Sequence, residues 1–174
     1  MTTRLRVLAA ALACAAALVL TVGATGASAA TTGTGHFGPE YFTLQISTSN
    51  PAGTVNMYGP VAGQNGTYSQ ASTQTLAIFN FRQGTVGVWH TAEPAPSINW
   101  KACTTTVRQL GNWRFVYGTG KYWGAQGRGQ FYLTDFQVYP RERGHCTAAN
   151  PNAQPVFTKI NVQAWGVASL PRHH

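Results

Sequence analysis

Apolar and polar residues alternate along most of the chain from Thr34 onward, and a two-residue period is typical of β-strands with one buried face. No window of about ten residues keeps the helical period of about 3.6 without a glycine or a proline. The alternation predicts an all-β fold, namely a closed antiparallel β-barrel of about eight strands, with a β-sandwich as the alternative. The predicted strands are Tyr41–Ser47, Thr54–Val61, Gln74–Phe81, Thr85–Thr91, Ile98–Val107, Gly111–Tyr117, Gln130–Tyr139 and Val156–Ser169.

Turn residues separate these strands. Asn50-Pro51-Ala52-Gly53 and Asn65-Gly66 predict turns, and Arg82-Gln83-Gly84 predicts a short hairpin loop. The pair Gly59-Pro60 interrupts the second strand, which predicts an edge position or a bulge there. Five glycines between Gly118 and Gly129 predict a long turn between the two most aromatic strands.

The glycine-rich stretch also resembles a known group of proteins. It runs Gly111-x-Trp113-x-Phe115-Val116-x-Gly118-Thr119-Gly120-Lys121-Tyr122-x-Gly124-Ala125-x-Gly127-x-Gly129. This segment resembles the glycine segment of the allene-oxide-cyclase-like and dirigent-like β-barrels. It is most similar to that of small secreted actinobacterial proteins in this group, whose biochemical role is largely unassigned. The resemblance implies an antiparallel barrel of about eight strands with a central cavity.

The activity does not follow from this resemblance. Plant members of the group cyclise a fatty-acid-derived epoxide or direct the coupling of phenoxy radicals. The catalytic acidic and Arg residues of those proteins have no motif in this chain that can be aligned. The resemblance therefore implies the fold and leaves the activity open.

The first 29 residues have the pattern of a secretion signal. Two arginines precede an apolar run from Val7 to Val22, and Ala27-Ser28-Ala29 is a small-residue cleavage site. A transmembrane anchor is the alternative, but the run is short and Ala-rich, whereas a span needs about 20 strongly apolar residues. The pattern predicts a secreted, extracellular protein with one β-barrel domain at residues 30–174 and no integral membrane segment in the mature chain.

The chain is basic, with 12 Lys and Arg residues against 4 Asp and Glu residues. Loss of Arg4 and Arg6 with the signal leaves ten basic and four acidic residues, a net charge of +6. Only Arg141 and Arg143 lie close together, whereas a nucleic-acid site needs a basic stripe or cluster. The charge predicts solubility and attraction to anionic cell-surface polymers, with no nucleic-acid partner.

Cys103 and Cys146 are the two cysteines of the predicted mature chain, and an even pair in an exported protein predicts a disulfide. Closing this loop stabilises the fold by about 4 kcal/mol in the chain-entropy model. A metal site of Cys146, His145 and His90 is the alternative. Adjacent strand residues point to opposite faces, so His145 and Cys146 would rarely share a metal. We therefore predict no metal and no cofactor.

Four polar residues are catalytic candidates. His90 shares a strand face with apolar residues, so it points into a cavity or sits at the rim, where it can act as a general base. Glu93 follows within reach of His90. Asp135 lies on an apolar strand face and needs a partner, for which Arg114 is a candidate. The alternative for each is structural, a hydrogen-bonded histidine in an apolar wall and a solvated surface ion pair.

Aromatic residues near the glycine turn are the candidates for ligand contact. They can form an aromatic mouth, and packing in the core or across a dimer is the alternative. Several strands are apolar on both faces, which a homo-oligomer would explain together with barrel closure. The candidates are Trp113, Phe115, Tyr117, Tyr122 and Trp123.

Three functions fit these patterns. The first is a barrel that binds a small apolar or aromatic ligand in its lumen. The second is an enzyme of the cyclase, isomerase or dirigent-like kind, which requires His90, Glu93 or Asp135 to face inward together. The third is a cell-surface structural or interaction protein whose lumen is packed solid. The chain has no GxSxG or HExxH motif, so no hydrolase is predicted.

Overall fold

The computed structural model describes residues 35–172, which form an antiparallel β-barrel. Its strands are β1 (His36–Ser47), β2 (Asn50–Tyr58), β3 (Gly63–Gln70), β4 (Leu76–Phe81), β5 (Gly84–His90), β6 (Ser97–Asn99), β7 (Thr104–Gly118), β8 (Gln126–Val138), β9 (Arg141–Glu142), β10 (His145–Cys146) and β11 (Phe157–Leu170). A single 3-10 turn, Gly120–Tyr122, lies between β7 and β8. The predicted secretion signal lies outside the described residues.

Eight strands close the barrel in the order β5-β4-β3-β2-β1-β11-β8-β7, and β5 pairs with β7 to complete the circle. The β6 strand pairs with β7 outside the barrel, and β9 and β10 form a separate hairpin. The predicted closed antiparallel barrel is confirmed. No helix within residues 35–172 has both the length and the apolar character that crossing a membrane requires.

On β1 and β11, residues two apart share a face, as the two-residue period predicts, and the structure shows which face is the inner one. On β1, Phe42 and Leu44 point into the lumen and are buried. On β11, Ala164 is buried inside, whereas Trp165 and Val167 are exposed outside. Fully burying an aliphatic or aromatic side chain stabilises a fold by about 1.5–3 kcal/mol, so the alternation itself favours closure of the sheet.

Aromatic rings fill the middle of the lumen. Trp113 lies 5.1 Å from Phe42 and 4.9 Å from Phe115 between ring centroids, and Phe42 lies 5.3 Å from Phe79. These tilted and edge-on contacts are the arrangements that aromatic pairs prefer. The Trp113 indole N–H donates to the carbonyl oxygens of Gln130 at 3.0 Å and of Trp165 at 3.3 Å. The buried indole is therefore satisfied.

Two predicted turns are wrong, because both segments lie inside strands as bulges. Pro51–Gly53 belongs to β2 and lies opposite Ile46, and Gly53 has a φ of +63°. Asn65 and Gly66 belong to β3, where Asn65 has a φ of 54° and its N–H donates to the Asn56 side chain at 2.9 Å. A bulge and a turn both require left-handed residues, so the local sequence does not distinguish them.

The predicted strand Ile98–Val107 is also wrong, because the chain turns back within it. The β6 strand ends at Asn99 and β7 begins at Thr104. The Asn99 side chain accepts the N–H of Ala102 at 3.0 Å in the turn. Cys103 ends the turn with a φ of 55°, so it precedes the strand in which it was expected. No glycine or proline marks this turn, and the side-chain pattern continues through it.

The predicted disulfide between Cys103 and Cys146 is present, with a Cα–Cα distance of 5.2 Å. It joins the β6–β7 turn to the β9–β10 hairpin. The long glycine turn is shorter than predicted, because Gly127 and Gly129 lie within β8 and Gly118 ends β7. A Cβ on Gly127 would lie 2.8 Å from the Phe115 ring, so this glycine makes room for a core aromatic side chain.

Candidate functional site

A small cavity of about 80 Å³ remains in the lumen toward the end of the barrel where β1 and β5 finish. Eleven of its lining residues are aliphatic or aromatic, including Leu44, Val88 and Leu133. The polar ones are Tyr68, His90 and Glu93. An apolar wall with a few polar groups is the usual character of a small-molecule site.

His90 is the last residue of β5 and lines this cavity. Its ring packs edge-on against Phe131, with 6.2 Å between ring centroids. Its Nδ1 lies 3.0 Å from the backbone oxygen of Thr91. This contact favours the tautomer with the proton on Nδ1, which donates to Thr91 and leaves Nε2 as an acceptor.

Glu93 and Tyr68 lie beside His90 around the cavity. Glu93 follows β5 in a segment that Pro94 and Pro96 stiffen, and it is solvent-exposed. The Tyr68 hydroxyl donates to the Gln70 side chain. Burial raises the pKa of Tyr68, and the negative charge of Glu93 raises it further. Glu93 therefore lies close enough to Tyr68 for their charges to interact.

Asp135 points inward from β8, one inner-face position beyond Leu133, and is only 8% exposed. The Gln137 side chain donates to its Oδ2 at 2.8 Å, and the Tyr139 hydroxyl donates to the Gln137 oxygen at 2.7 Å. The other oxygen, Oδ1, has no hydrogen-bond partner within residues 35–172. Burial raises the pKa of Asp135 to about 6, and the Glu93 charge raises it while the Gln137 hydrogen bond lowers it.

Arg114 is not part of this group. It points outward from β7, where its guanidinium carbon lies 5.2 Å from the centroid of the Trp89 ring. Val107 is opposite Asp135 in the register of β7 and β8, and Arg114 is opposite Arg128. The predicted pairing of Asp135 with Arg114 is therefore wrong, because the register that decides it is not visible in the sequence.

The structure distributes the five aromatic candidates over both faces of the barrel. Trp113 and Phe115 point inward, and Trp113 lines the cavity. Tyr122 is 1% exposed beyond the opposite end of the aromatic core, where its hydroxyl donates to the oxygen of Ala62 at 3.3 Å. Trp123 is 66% exposed. Of the five, only Trp113 contacts the cavity.

Tyr117 lies on the outside because of a bulge. Gly87 pairs with Tyr117 and Val88 pairs with Phe115, so Val116 is an extra residue on β7. The inserted residue shifts the alternation, which places the Tyr117 ring against Gly87, where a Cβ would lie 2.1 Å from it. Tyr117 therefore does not share the face of Trp113 and Phe115, as an unbroken two-residue period over the predicted strand Gly111–Tyr117 would require.

Tyr68 was not predicted to be a cavity residue. Because a turn was predicted at Asn65-Gly66, strand β3 was not predicted, and no face was assigned to the residues that follow. The alternation of Gly66, Tyr68 and Gln70 was the available signal, but it is short and mostly polar.

A second buried carboxyl, Glu40, was also missed as a candidate. It points inward from β1 with 2% of its surface exposed. Its Oε2 accepts the N–H of Val61 at 3.0 Å, and its Oε1 has no hydrogen-bond partner in the described part of the chain. Burial raises its pKa to about 7, and the Val61 hydrogen bond opposes this shift. Glu40 lies two residues before Phe42, so its position in the alternation was the available signal, but the predicted strand began only at Tyr41.

A shallow groove of about 1040 Å³ crosses the outer surface. Aromatic and basic side chains border it, namely Tyr41, Tyr58, Trp89, Arg114, Arg128 and Trp165. The two arginines have no carboxylate partner among the described residues, and Arg114 packs on Trp89 as above. This groove is larger than the lumen cavity but is open to solvent along its length.

The metal site that was the alternative to the disulfide does not form in the described residues. The described chain contains no group of three or more His, Cys, Asp or Glu side chains that can hold a metal ion. Cys146, which the alternative metal site required, is bonded to Cys103.

No protein-family model, curated protein or solved structure matches this chain. The resemblance to allene-oxide-cyclase-like and dirigent-like barrels therefore stays a prediction.

Proposed function

We propose that this protein is a secreted β-barrel that binds a small apolar or aromatic ligand in its lumen. The observation that carries the proposal is the cavity itself, an apolar pocket whose polar residues are Tyr68, His90 and Glu93. Such a site can desolvate the body of a ligand and orient its polar end. The disulfide supports export, because disulfides persist in oxidising compartments.

The size of the cavity restricts the ligand. Pockets for drug-sized molecules measure about 300–1,000 Å³, and an apolar cavity of about 150 Å³ accepts benzene. A cavity of about 80 Å³ accommodates a short alkyl chain or the tip of a ring. The ligand is therefore a small molecule, or a longer one that inserts only its apolar end.

A packed lumen was expected for a structural or interaction protein. The aromatic cluster around Trp113 fills the middle of the barrel, which favours that alternative for this part of the lumen. The space beside Leu44 and Leu133 is not filled. An empty part of the lumen favours ligand binding over a purely structural role. The exposed aromatic residues on the outer face support self-association as an additional property.

An acid–base enzyme of the isomerase or cyclase kind is the second candidate. It is favoured by one observation: His90 and Glu93 line the cavity, and Asp135 faces inward two residues beyond Leu133, which also lines it. An Asp135 pKa of about 6 suits a carboxyl that exchanges a proton near neutral pH. In this mechanism Asp135 or His90 removes a proton from the bound substrate, and the apolar wall excludes water.

Methyl NMR tests the binding proposal directly. We expect n-pentanol or phenol to shift the methyl signals of Leu44, Val88 and Leu133. The methyl signals of Val61 should not move, because Val61 is buried but does not line the cavity. Uniform small shifts over the whole protein would contradict a lumen site.

A cavity-filling variant provides the control. Ala77 is buried and lines the cavity, so Ala77→Leu places added carbon atoms in the empty space. We expect this variant to lose the pentanol-induced shifts. The matched variant Ala102→Leu changes an exposed residue in the β6–β7 turn and should bind as the natural protein does. Equal binding by both variants would refute the lumen site.

A further inference from the structure

We infer that the lumen ligand carries a positively charged amine at its polar end, next to Glu93 and Asp135. This inference rests on the proposed binding in the lumen and adds the chemical class of the ligand. It predicts a short amphiphilic amine with an apolar tail in the cavity and an ammonium group at the carboxylates.

The distribution of charge is the first argument. The chain has only 4 acidic residues against 12 basic ones, yet two of the acidic residues lie at this end of the lumen. Glu93 lines the cavity, and Asp135 lies just beyond its lining, two residues after Leu133 and opposite Ile160, which both line it. No lysine or arginine lines the cavity. In a basic protein, a region with two carboxylates and no lysine or arginine attracts a cation from solution.

The unsatisfied oxygen of Asp135 is the second argument. Asp135 is 8% exposed, and its Oδ1 has no hydrogen-bond partner among the residues described. A buried polar atom without a partner is costly, and a buried charge without a counter-charge is more so. An ammonium group supplies both a donor and a counter-charge.

The strand residues paired with Asp135 carry no charge. Val107 of β7 and Ile160 of β11 are its register partners, and both are apolar. Its own strand contributes Gln137, whose amide already donates to Oδ2.

The remaining groups near this site are titratable. They are Glu93 and His90 at the cavity, Tyr68 from β3, and Tyr139 beyond the end of β8. His90 is the only one that can become positive, and its Nδ1 contacts Thr91. Oδ1 of Asp135 is therefore available to a donor from the ligand.

A matched series of ligands tests the inference. The probes are n-pentylamine, n-pentanol and pentanoate, which share an apolar chain and differ in charge. By methyl NMR titration at pH 7.5, we expect the amine to bind about tenfold more tightly than the alcohol, because a hydrogen bond to a charged group is stronger than one between neutral groups. Pentanoate should bind more weakly than the alcohol, since the carboxylates repel it.

Two variants show where the selectivity comes from. Asp135→Asn and Glu93→Gln each remove a negative charge with little change of shape. We expect each to reduce the ratio of amine affinity to pentanol affinity severalfold, because the charge that the ammonium group contacts is lost. Glu93 is exposed, so Glu93→Gln keeps the test valid if Asp135→Asn does not fold. Glu142→Gln, which neutralises an exposed acid on β9, is the control.

The pH dependence of ligand affinity provides an independent test of the inferred amine. The amine stays charged between pH 5 and 7.5, whereas Asp135 loses its proton in this range. The ratio of amine affinity to pentanol affinity should therefore rise with pH. Asp135→Asn should flatten this rise.

The outcomes separate the two proposals. If pentanol binds in the cavity and pentylamine binds no more tightly, the inferred amine is refuted while lumen binding stands. If none of the three probes shifts the cavity methyl groups, lumen binding fails and the amine inference fails with it. A preference for the amine that persists in both charge-removing variants would also refute the inference.

Discussion

Two buried carboxyls stand out at the residue scale. Glu40 and Asp135 both face the inside of the barrel, and each has one oxygen that lacks a hydrogen-bond partner within the described residues. Their pKa values rise to about 7 and about 6, and burial is the main cause for both. They are therefore the side chains whose charge state depends most on the fold.

These shifts make the stability of the fold depend on pH. For Glu40, the folded pKa of about 7 exceeds the ordinary value of 4.5. Below pH 4.5 the carboxyl is protonated in both the folded and the unfolded chain, so its ionisation does not change the free energy of unfolding. As pH rises from 4.5 to 7, only the unfolded chain ionises, which lowers the free energy of unfolding by about 2–3 kcal/mol. Asp135 also lowers the free energy of unfolding as pH rises from 3.8 to about 6, because only the unfolded chain ionises in this range.

Glu40→Gln should remove most of this loss. The glutamine oxygen can still accept the Val61 N–H, and no charge has to be buried. In urea unfolding, we expect the variant to be more stable than the natural protein at pH 7.5 and to differ little from it at pH 4.5. A smaller decrease of the free energy of unfolding with rising pH, caused by Asp135, should remain. Glu142→Gln should keep the full pH dependence, and an unchanged slope in Glu40→Gln would contradict the assignment.

At the scale of elements, glycine decides where strands can approach closely. Gly129 of β8 and Gly166 of β11 are directly paired. A Cβ on Gly129 would lie 2.0 Å from the oxygen of Trp165, and a Cβ on Gly166 would lie 2.2 Å from the oxygen of Arg128. The two backbones thus occupy the space that any other side chain would need, next to the Trp113 indole.

Gly129→Ala should therefore separate β8 from β11. The clash is with backbone atoms, so no side chain can move aside. We expect a loss of about 3 kcal/mol or more in the free energy of unfolding, at the upper end for overpacking. Gly38→Ala is the matched control, because its Cβ would lie 3.7 Å from the nearest atom, in Pro60, which is an ordinary contact. Equal stability of the two variants would contradict the close approach.

At the scale of the whole molecule, the disulfide joins two parts outside the barrel wall. Cys103 and Cys146 are 43 residues apart and connect the β6–β7 turn to the β9–β10 hairpin. The Arg141 side chain donates to the oxygens of Trp100 at 3.1 Å and Lys101 at 2.6 Å across the same junction. The barrel itself is closed by the pairing of β5 with β7, and none of its eight strands contains either cysteine.

Replacing both cysteines by serine should therefore weaken the fold without opening the barrel. We expect the free energy of unfolding to fall by about 4 kcal/mol, because the unfolded chain gains the freedom of an open loop. Urea unfolding should also show a larger m-value, since the unfolded chain exposes more surface. Far-ultraviolet circular dichroism of the folded variant should not change. Loss of the β signal in dilute buffer would mean that the barrel itself depends on the bond.

The barrel class, the residues that share a strand face and the cysteine pair were predictable from the sequence. The alternation of Phe42 and Leu44 with polar residues places both on one face of β1, because burial of one face acts residue by residue along a strand. The same local rule fails at Tyr117, where Val116 is inserted, and at Asn65-Gly66, where a bulge uses the residues of a turn. The predictions were thus right where the information was local and regular.

The site itself was decided by the tertiary structure. Whether Asp135 meets Arg114 or Val107 depends on the register between β7 and β8, and that register results from packing summed over both strands. The sequence by itself determined an all-β chain with alternating faces, because burial favours the same short period everywhere along it. Only the closed barrel decided that Glu93 lies near Asp135 and that space remains beside Leu133, because closure sets distances between residues far apart in sequence.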